Sequence, residues 1–228
     1  MNDFTVNAIV LSVMPIGEYD RRLELLTKEA GRISVFARGA RRVSSANCSA
    51  ARVFAFGRVE LFQGKNSYTL KSAQITNYFT EMADDIVRSY YGYYFLELCR
   101  YFSRENAEAG DMLLLLYLSL KALISESYDN VLVRSIFEIK LLKIEGIAPA
   151  AEKIMSGQGQ FSFSAGMSLG TGYALNFVLE SEISKLFSFK LDREVLREFK
   201  SVADHLMEYL VGKSFNSLEL LETLTDLR

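Results

Sequence analysis

Hydrophobic and polar positions alternate with period two over the first third of the chain and then change step. TVNAIVLSVM, RLELLTK, GRISVFARG, RVFAFGRVELF and SYTLKSAQI are short runs rich in β-branched and aromatic residues. PIGEYD, EAG, GARRVSSANCSA and QGKN divide them. This pattern predicts about five strands within residues 1–80. Five short strands with glycine-marked turns suit a small Greek-key barrel of the OB type, and an SH3-like barrel would have much the same pattern.

After residue 80 the period becomes helical. MADDIVRSYYGYYFLELCRYF predicts a long, largely buried helix in which Tyr90, Tyr93, Tyr94 and Phe95 are core or domain-interface residues. Asp111 is placed to cap the leucine-rich segment that follows. A further helix is expected over 131–145, with Asn130 as its cap, Gly146 as its stop and Pro149 beyond. Residues 150–173 carry five glycines and the short alternation QFSFS, which predict loops and a hairpin. Helical signals resume near Leu175 and continue through REVLREFKSVADHLMEYLVG to SLELLETLTDL. The expected class is therefore α+β: an N-terminal OB-fold barrel over 1–80, then a helical domain over 81–228 with an irregular insertion at about 150–173.

Composition places the chain among folded proteins: half of its 228 residues are hydrophobic and 24% are charged. Cys48 and Cys99 lie far apart and form no regular framework, as expected of a protein in a reducing cytoplasm. The N-terminus reads poorly as a secretory signal, and MLLLLYLSLKALI is too short and too interrupted to span a bilayer, so no membrane partner is expected.

Charge changes the picture more. The net charge is -2, yet residues 1–80 hold eleven basic against six acidic residues, whereas the remainder holds fifteen against twenty-two. From Arg21 to Arg58 there are nine basic residues and only Glu24 and Glu29 to oppose them. A basic end on an acidic chain points to a polyanionic partner.

Enzyme chemistry finds little footing. The single histidine, His205, sits mid-helix and no nucleophile turn accompanies it. One His and two isolated Cys do not make a zinc site, so no metal or other cofactor is expected. Gly157 and Gly159 lack the rest of a dinucleotide or P-loop motif, and the acidic pairs Asp84–Asp85 and Glu180–Glu182 suit solvated helix faces. A hydrolase built on 150–173 would lack an acid–base pair.

The basic segment offers a more coherent chemistry. Alternation in GRISVFARG sends Ile33, Val35 and Ala37 to one side and Arg32, Ser34, Phe36 and Arg38 to the other. Cationic groups that follow a phosphate backbone, with an aromatic face for a stacked base, are the means of sequence-independent single-strand binding on OB barrels. Phe54, Phe56 and Arg58 are expected to share a face of the next strand, and Arg41, Arg42 and Arg52 bracket the loop between. Arg32, Phe36, Arg38, Arg41, Arg42, Arg52 and Arg58 are the candidate DNA-binding residues. An adapter barrel that binds protein or RNA without annealing is the alternative, and solvated arginines or a Phe packed on the helical half would look the same in sequence.

The order of four segments carries a resemblance along nearly the whole chain. AIVLSVMPIGEYDRRLELLTKEAGRISVFARGARR, FAFGRVELFQGKNSYTLKSAQI, SYYGYYFLELCRYF and HLMEYLVGKSFNSLELL together resemble the RecO family of bacterial DNA-repair proteins. The resemblance implies an N-terminal OB fold, a helical C-terminal domain and a recombination mediator without a catalytic centre. It further implies binding of single- and double-stranded DNA, annealing of complementary strands, association with RecR, and contact with the C-terminal tail of single-strand DNA-binding protein. Arg32, Arg38, Arg41 and Arg42 fall in the family's basic segment. That tail is acidic with an apolar end, so a groove flanked by basic residues is expected on the helical domain, with Lys140, Lys143 and Arg197 as candidates by charge. Many relatives carry a four-cysteine zinc module where this chain has GIAPAAEKIMSGQGQFSFSAGMSL; none of the ligands is present, and a degenerate, metal-free version is expected.

Overall fold

A computed structural model of the chain describes residues 2–65 and 67–226. Two compact units are present: one comprises residues up to 84 together with 95–113, the other 85–94 together with the residues from 114 onward.

The first unit is built on five strands, β1 (Asn2–Ile16), β2 (Asp20–Thr27), β3 (Gly31–Ala37), β4 (Phe56–Gln63) and β5 (Tyr68–Asn77). They close into a barrel in the order β1-β2-β3-β5-β4, which is the OB arrangement. Closure depends on the length of β1: its first half pairs with β4 and its second with β2, and the register shifts between Val10 and Ser12. The β3–β5 seam is parallel and short, with only Val35↔Tyr68 and Phe36↔Thr69 in register. Beyond that seam lies a five-residue helix, α1 (Ala46–Ala50), and its Ala50 joins Val6, Leu23, Ile33, Val35 and Leu61 in the barrel core. Ile33, Val35 and Ala37 are buried and Ser34, Phe36 and Arg38 are exposed, as the alternation predicts.

The strand expected from Arg52 begins later. Phe54 has φ of 70° and is buried, and only Phe56 onward is β4. The reason is tertiary: Phe54 N–H donates to Val10 O at 3.1 Å and Val10 N–H to Ala55 O at 3.0 Å, so this turn is bonded to β1 where its register shifts. Phe54 therefore shares no outer face with Arg58. A second tertiary device holds the other end of β3. Gly31 has φ of +64°, and a Cβ on it would stand 2.0 Å from Arg104 O, so glycine lets residues 104–106 lie against the strand, with Arg32 N–H donating to Arg104 O at 3.1 Å.

Helices make up the rest: α2 (Ile86–Phe102), α3 (Gly110–Ile124), α4 (Asn130–Ile144), α5 (Ala151–Met155), α6 (Leu169–Glu180), α7 (Arg193–Leu210) and α8 (Asn216–Asp226). In the second unit α4 is central, packed on α6 and α7, and every residue from Leu132 to Leu142 is buried. Its buried polar residues each have a partner, although the second carboxylate oxygen of Glu138, Oε2, has none among the described residues. Glu138 Oε1 accepts from Tyr94 OH at 2.6 Å and Arg134 Nε at 2.8 Å, and Arg134 reaches Asp204 at 2.7 Å. Tyr94 and Phe95 are core residues as expected, whereas Tyr93 is exposed.

Several local expectations need correction. Asp129, not Asn130, caps α4 by accepting from Val131 N–H at 2.8 Å, and Asp111 lies inside the first turn of α3, which already begins at Gly110. QFSFS forms no hairpin. Gly159–Ser164 is instead a 3-10 segment in which Phe161 and Ser164 are buried, with Ser164 Oγ donating to Phe161 O at 2.7 Å. Nothing in it has the form of a separate zinc-type module. The helix expected near Leu175 starts at Leu169, capped by Ser168; its early glycines are packing positions, since a Cβ on Gly172 would meet Met155 Cε at 2.8 Å. Among the described residues no helix is long and apolar enough to cross a membrane.

Candidate nucleic-acid interface

FARGARR forms a fastened loop. At the end of β3 the chain turns through Gly39, whose N–H donates to Asp20 Oδ1 at 2.7 Å. Two residues later Arg41 N–H donates to Tyr19 O at 2.9 Å, and Arg41 Nη1 reaches Gly17 O at 2.7 Å. The Arg42 guanidinium lies 4.0 Å from the centre of the Tyr19 ring. On the other side, Asn47 of α1 donates to Arg38 O at 3.1 Å. The β1–β2 turn and α1 thus clamp the arginine loop from both sides. Carbonyl oxygens and an aromatic face hold these guanidiniums in place without cancelling their charge, and Arg38, Arg41 and Arg42 stay exposed.

Beside the loop, at the end of the barrel occupied by α1, is a groove of about 690 Å³. Arg21, Arg41 and Arg52 line it together with Pro15, Val43 and Cys48. Arg21 has the inward parity of β2, but it stands at the barrel's end, where its Nη1 donates to Ala51 O at 2.7 Å. Arg52 lies 5.8 Å from the Tyr78 ring centre. Among the described residues, no ion pair engages Arg21, Arg38, Arg41, Arg42, Arg52 or Arg58.

Arg32 is placed differently. Its Nη1 pairs with Glu24 Oε1 at 3.1 Å, while Arg100 pairs with the other carboxylate oxygen at 2.7 Å and Ser12 donates to it. Burial would raise the Glu24 carboxyl, but the Ser12 hydroxyl and the Arg100 and Arg32 guanidiniums outweigh it and hold the group below its ordinary value. Arg32 also donates to Ser103 O at 3.4 Å and is held in the fold by an ion pair, as the loop arginines are not. Arg58 stands on the outer face of β4 between Asn7 and Gln74, apart from the loop. Phe36, 38% exposed, lies on the outer wall between Arg22 of β2 and Thr69 of β5.

The candidate set thus resolves into a cluster of Arg38, Arg41, Arg42 and Arg52, a wall position at Phe36, and two separate residues, Arg32 and Arg58. Arg21, Arg22 and Tyr19 belong with the cluster or the wall but were not among the candidates. Their signal is the YDRR run, legible only once the β1–β2 turn is known to meet the arginine loop.

In the second unit, Lys140 is buried and its Nζ donates to Leu179 O at 3.1 Å and Ser181 O at 2.6 Å, which neutralises the C-terminal end of α6. Lys143 pairs with Glu180 at 3.1 Å, and Arg197 is exposed. Next to Lys140 and Lys143, whose partners Ser181 and Glu180 belong to its lining, Tyr173, Phe177, Phe189 and Leu191 line a largely apolar groove of about 550 Å³. His205 stacks on Phe163 with ring centres 4.7 Å apart, and its Nδ1 lies 2.7 Å from Ser201 O. Among the described residues no group of three His, Cys, Asp or Glu is arranged to hold a metal ion.

The chain is similar along nearly its whole length to known proteins. Residues 1–79 match the family model "Recombination protein O N terminal" and residues 83–219 match "Recombination protein O C terminal". The DNA repair protein RecO of Acetivibrio thermocellus is 28% identical, with 98% of each chain covered. Those of Symbiobacterium thermophilum and Dehalococcoides mccartyi are 26% and 25% identical, over 99% and 98% of this chain and 99% and 97% of theirs. Since the two models meet at the end of the barrel and the relatives match it end to end, the chain belongs to the RecO family of DNA-repair proteins, recombination mediators and not enzymes.

Proposed function

We propose that this protein is a cytoplasmic, nucleoid-associated recombination mediator. It binds single- and double-stranded DNA, anneals complementary strands and helps load recombinase on strands coated by single-strand DNA-binding protein. The observation that carries this reading is the fastened, uncompensated arginine cluster of Arg38, Arg41 and Arg42 with the Arg21–Arg41–Arg52 groove beside it. Annealing brings two polyanions together against their own repulsion. A cationic platform with a fixed backbone lowers that barrier and releases condensed counterions. Phe36 on the adjoining wall offers a face for an unpaired base. Duplex binding uses the arginines alone, because phosphates are available in either form.

Partner contacts fall to other surfaces. The apolar groove on α6 suits the apolar end of the single-strand DNA-binding protein's tail, with Lys143 as the nearby cation and Lys140 excluded by its burial. RecR is the second protein partner in this reading.

Anisotropy titration with single-stranded, duplex and RNA oligonucleotides at several salt concentrations tests the core of it. If about four to six phosphates are neutralised on a single strand, log K against log salt falls with a slope near -3 to -4. The R38A/R41A/R42A variant should flatten the slope by about 2 and abolish annealing of coated complementary strands. An unchanged slope removes the cluster from the site, and RNA or protein binding without annealing favours an adapter.

A further inference from the structure

One row of side chains crosses every strand of the barrel on its outer wall. Met14 of β1 pairs with Arg22 of β2, Arg22 with Phe36 of β3, Phe36 with Thr69 of β5, and Thr69 with Phe62 of β4. Residues directly opposite one another share a face, and the row is open to solvent: Met14 is 48%, Phe36 38% and Phe62 37% exposed. The residues next to these in sequence, Leu23, Val35, Leu61 and Leu70, point into the core. Single exposed apolar side chains are ordinary, but three in one row around a lone arginine are not what a solvated wall requires.

We propose that Phe62 is a second base-stacking residue, which takes one unpaired nucleobase of a single strand while Phe36 takes another and Arg22, on the side of Phe36 away from Phe62, serves the backbone beside it. This rests on the single-strand reading given above and adds a residue to it. Strands lie about 4.8 Å apart, so rings two strands away from each other are about 10 Å apart. That is too wide for one base to be sandwiched, and it leaves a platform for each of two. The small side chain of Thr69 separates them. Charge supports the same occupant. Arg22 meets no carboxylate among the described ion pairs, its Nη2 lying 3.4 Å from Met14 Sδ, and it continues the basic loop toward the wall. The row ends at Asp3, opposite Phe62, and Asp3 shares Lys71, at 2.6 Å, with Glu60, at 3.1 Å. Lys65, three residues beyond Phe62, is exposed. Stacking needs bases free of their complements, so this row distinguishes single strands from duplex where the arginine cluster does not.

The test is anisotropy titration of oligo-dT and of a duplex of equal length with the wild type, F62A, F62L and F62Y. Thermal melts verify that each variant is folded. Stacking predicts that F62A and F62L both lose oligo-dT affinity by roughly 5- to 150-fold, that F62Y keeps it, and that duplex affinity and the salt slope stay as they were. The F62L–F62Y contrast decides even if F62A fails to fold. Wild-type affinity in F62L would reduce the contact to apolar packing, and an equal loss on duplex would make it structural; either overturns the proposal. If the wild type binds oligo-dT and all variants match it, only the role of Phe62 falls. If the wild type binds neither oligonucleotide, the single-strand reading falls with it.

Discussion

Asp20 accepts the Gly39 N–H at 2.7 Å, and through that bond an acid positions the most basic loop of the chain. Its carboxylate opposes DNA electrostatically while it organises the groups that attract it. Organisation should win. D20A should bind single strands about 3- to 10-fold more weakly, although the variant gains positive charge, because the loop must then be ordered on binding. D20N, which keeps an acceptor, should bind at least as well as the wild type. Salt-dependent titration of the three proteins checks this.

Arg32 and Arg41 should separate cleanly. R32A loses an ion pair with Glu24, which keeps Arg100 and Ser12, so stability should fall by about 1 kcal/mol or less with the DNA salt slope unchanged. R41A should lower the magnitude of the slope by about 0.7, one single-strand phosphate contact, and leave thermal stability nearly intact. Melting and titration of both variants test the assignment of one to the fold and the other to the site.

Five strands, their approximate extents and the inward set Ile33, Val35 and Ala37 were legible because a barrel wall forces strict alternation. What was not legible depended on contacts distant in sequence. Phe54 has strand-like neighbours, yet the backbone of Val10 bends it into a positive-φ turn. Gly170 and Gly172 read as loop, but they are where Val195 and Met155 press on α6. At the site the arginines stood out by local density; that Arg32 is spent on Glu24, and that Arg21 reaches the groove through the barrel's end, follows only from strand pairing and closure.

Lys140→Met should cost about 2–3 kcal/mol, since it strips a charged donor from the buried carbonyl of Leu179 and the half-buried carbonyl of Ser181. Denaturant unfolding measures the loss. Binding of an acidic peptide with an apolar end should not change in K140M at temperatures where the protein is folded, whereas L191D, in the α6 groove, should weaken it.

Glu138 sets a pH dependence of definite sign. Complete burial raises its carboxyl above the ordinary value despite Arg134 and the Tyr94 hydroxyl. The folded state therefore holds this proton more tightly than the unfolded chain, and stability contributed by Glu138 falls as pH rises from the unfolded value of about 4.3 toward the folded one. Relative to the wild type, E138Q should gain stability across that window and hold a constant difference above it. R134M, which strands the buried acid, should cost about 3–5 kcal/mol near neutral pH.

The division of β1 between two partners has a consequence for how the chain is made. Its second half finds β2 as soon as about thirty residues exist, but residues 2–9 wait for β4, some fifty positions later. Until residues 56–63 have been synthesised, that leading edge carries unsatisfied amides and carbonyls next to an apolar face, and it is the part of the nascent barrel most open to pairing with another chain.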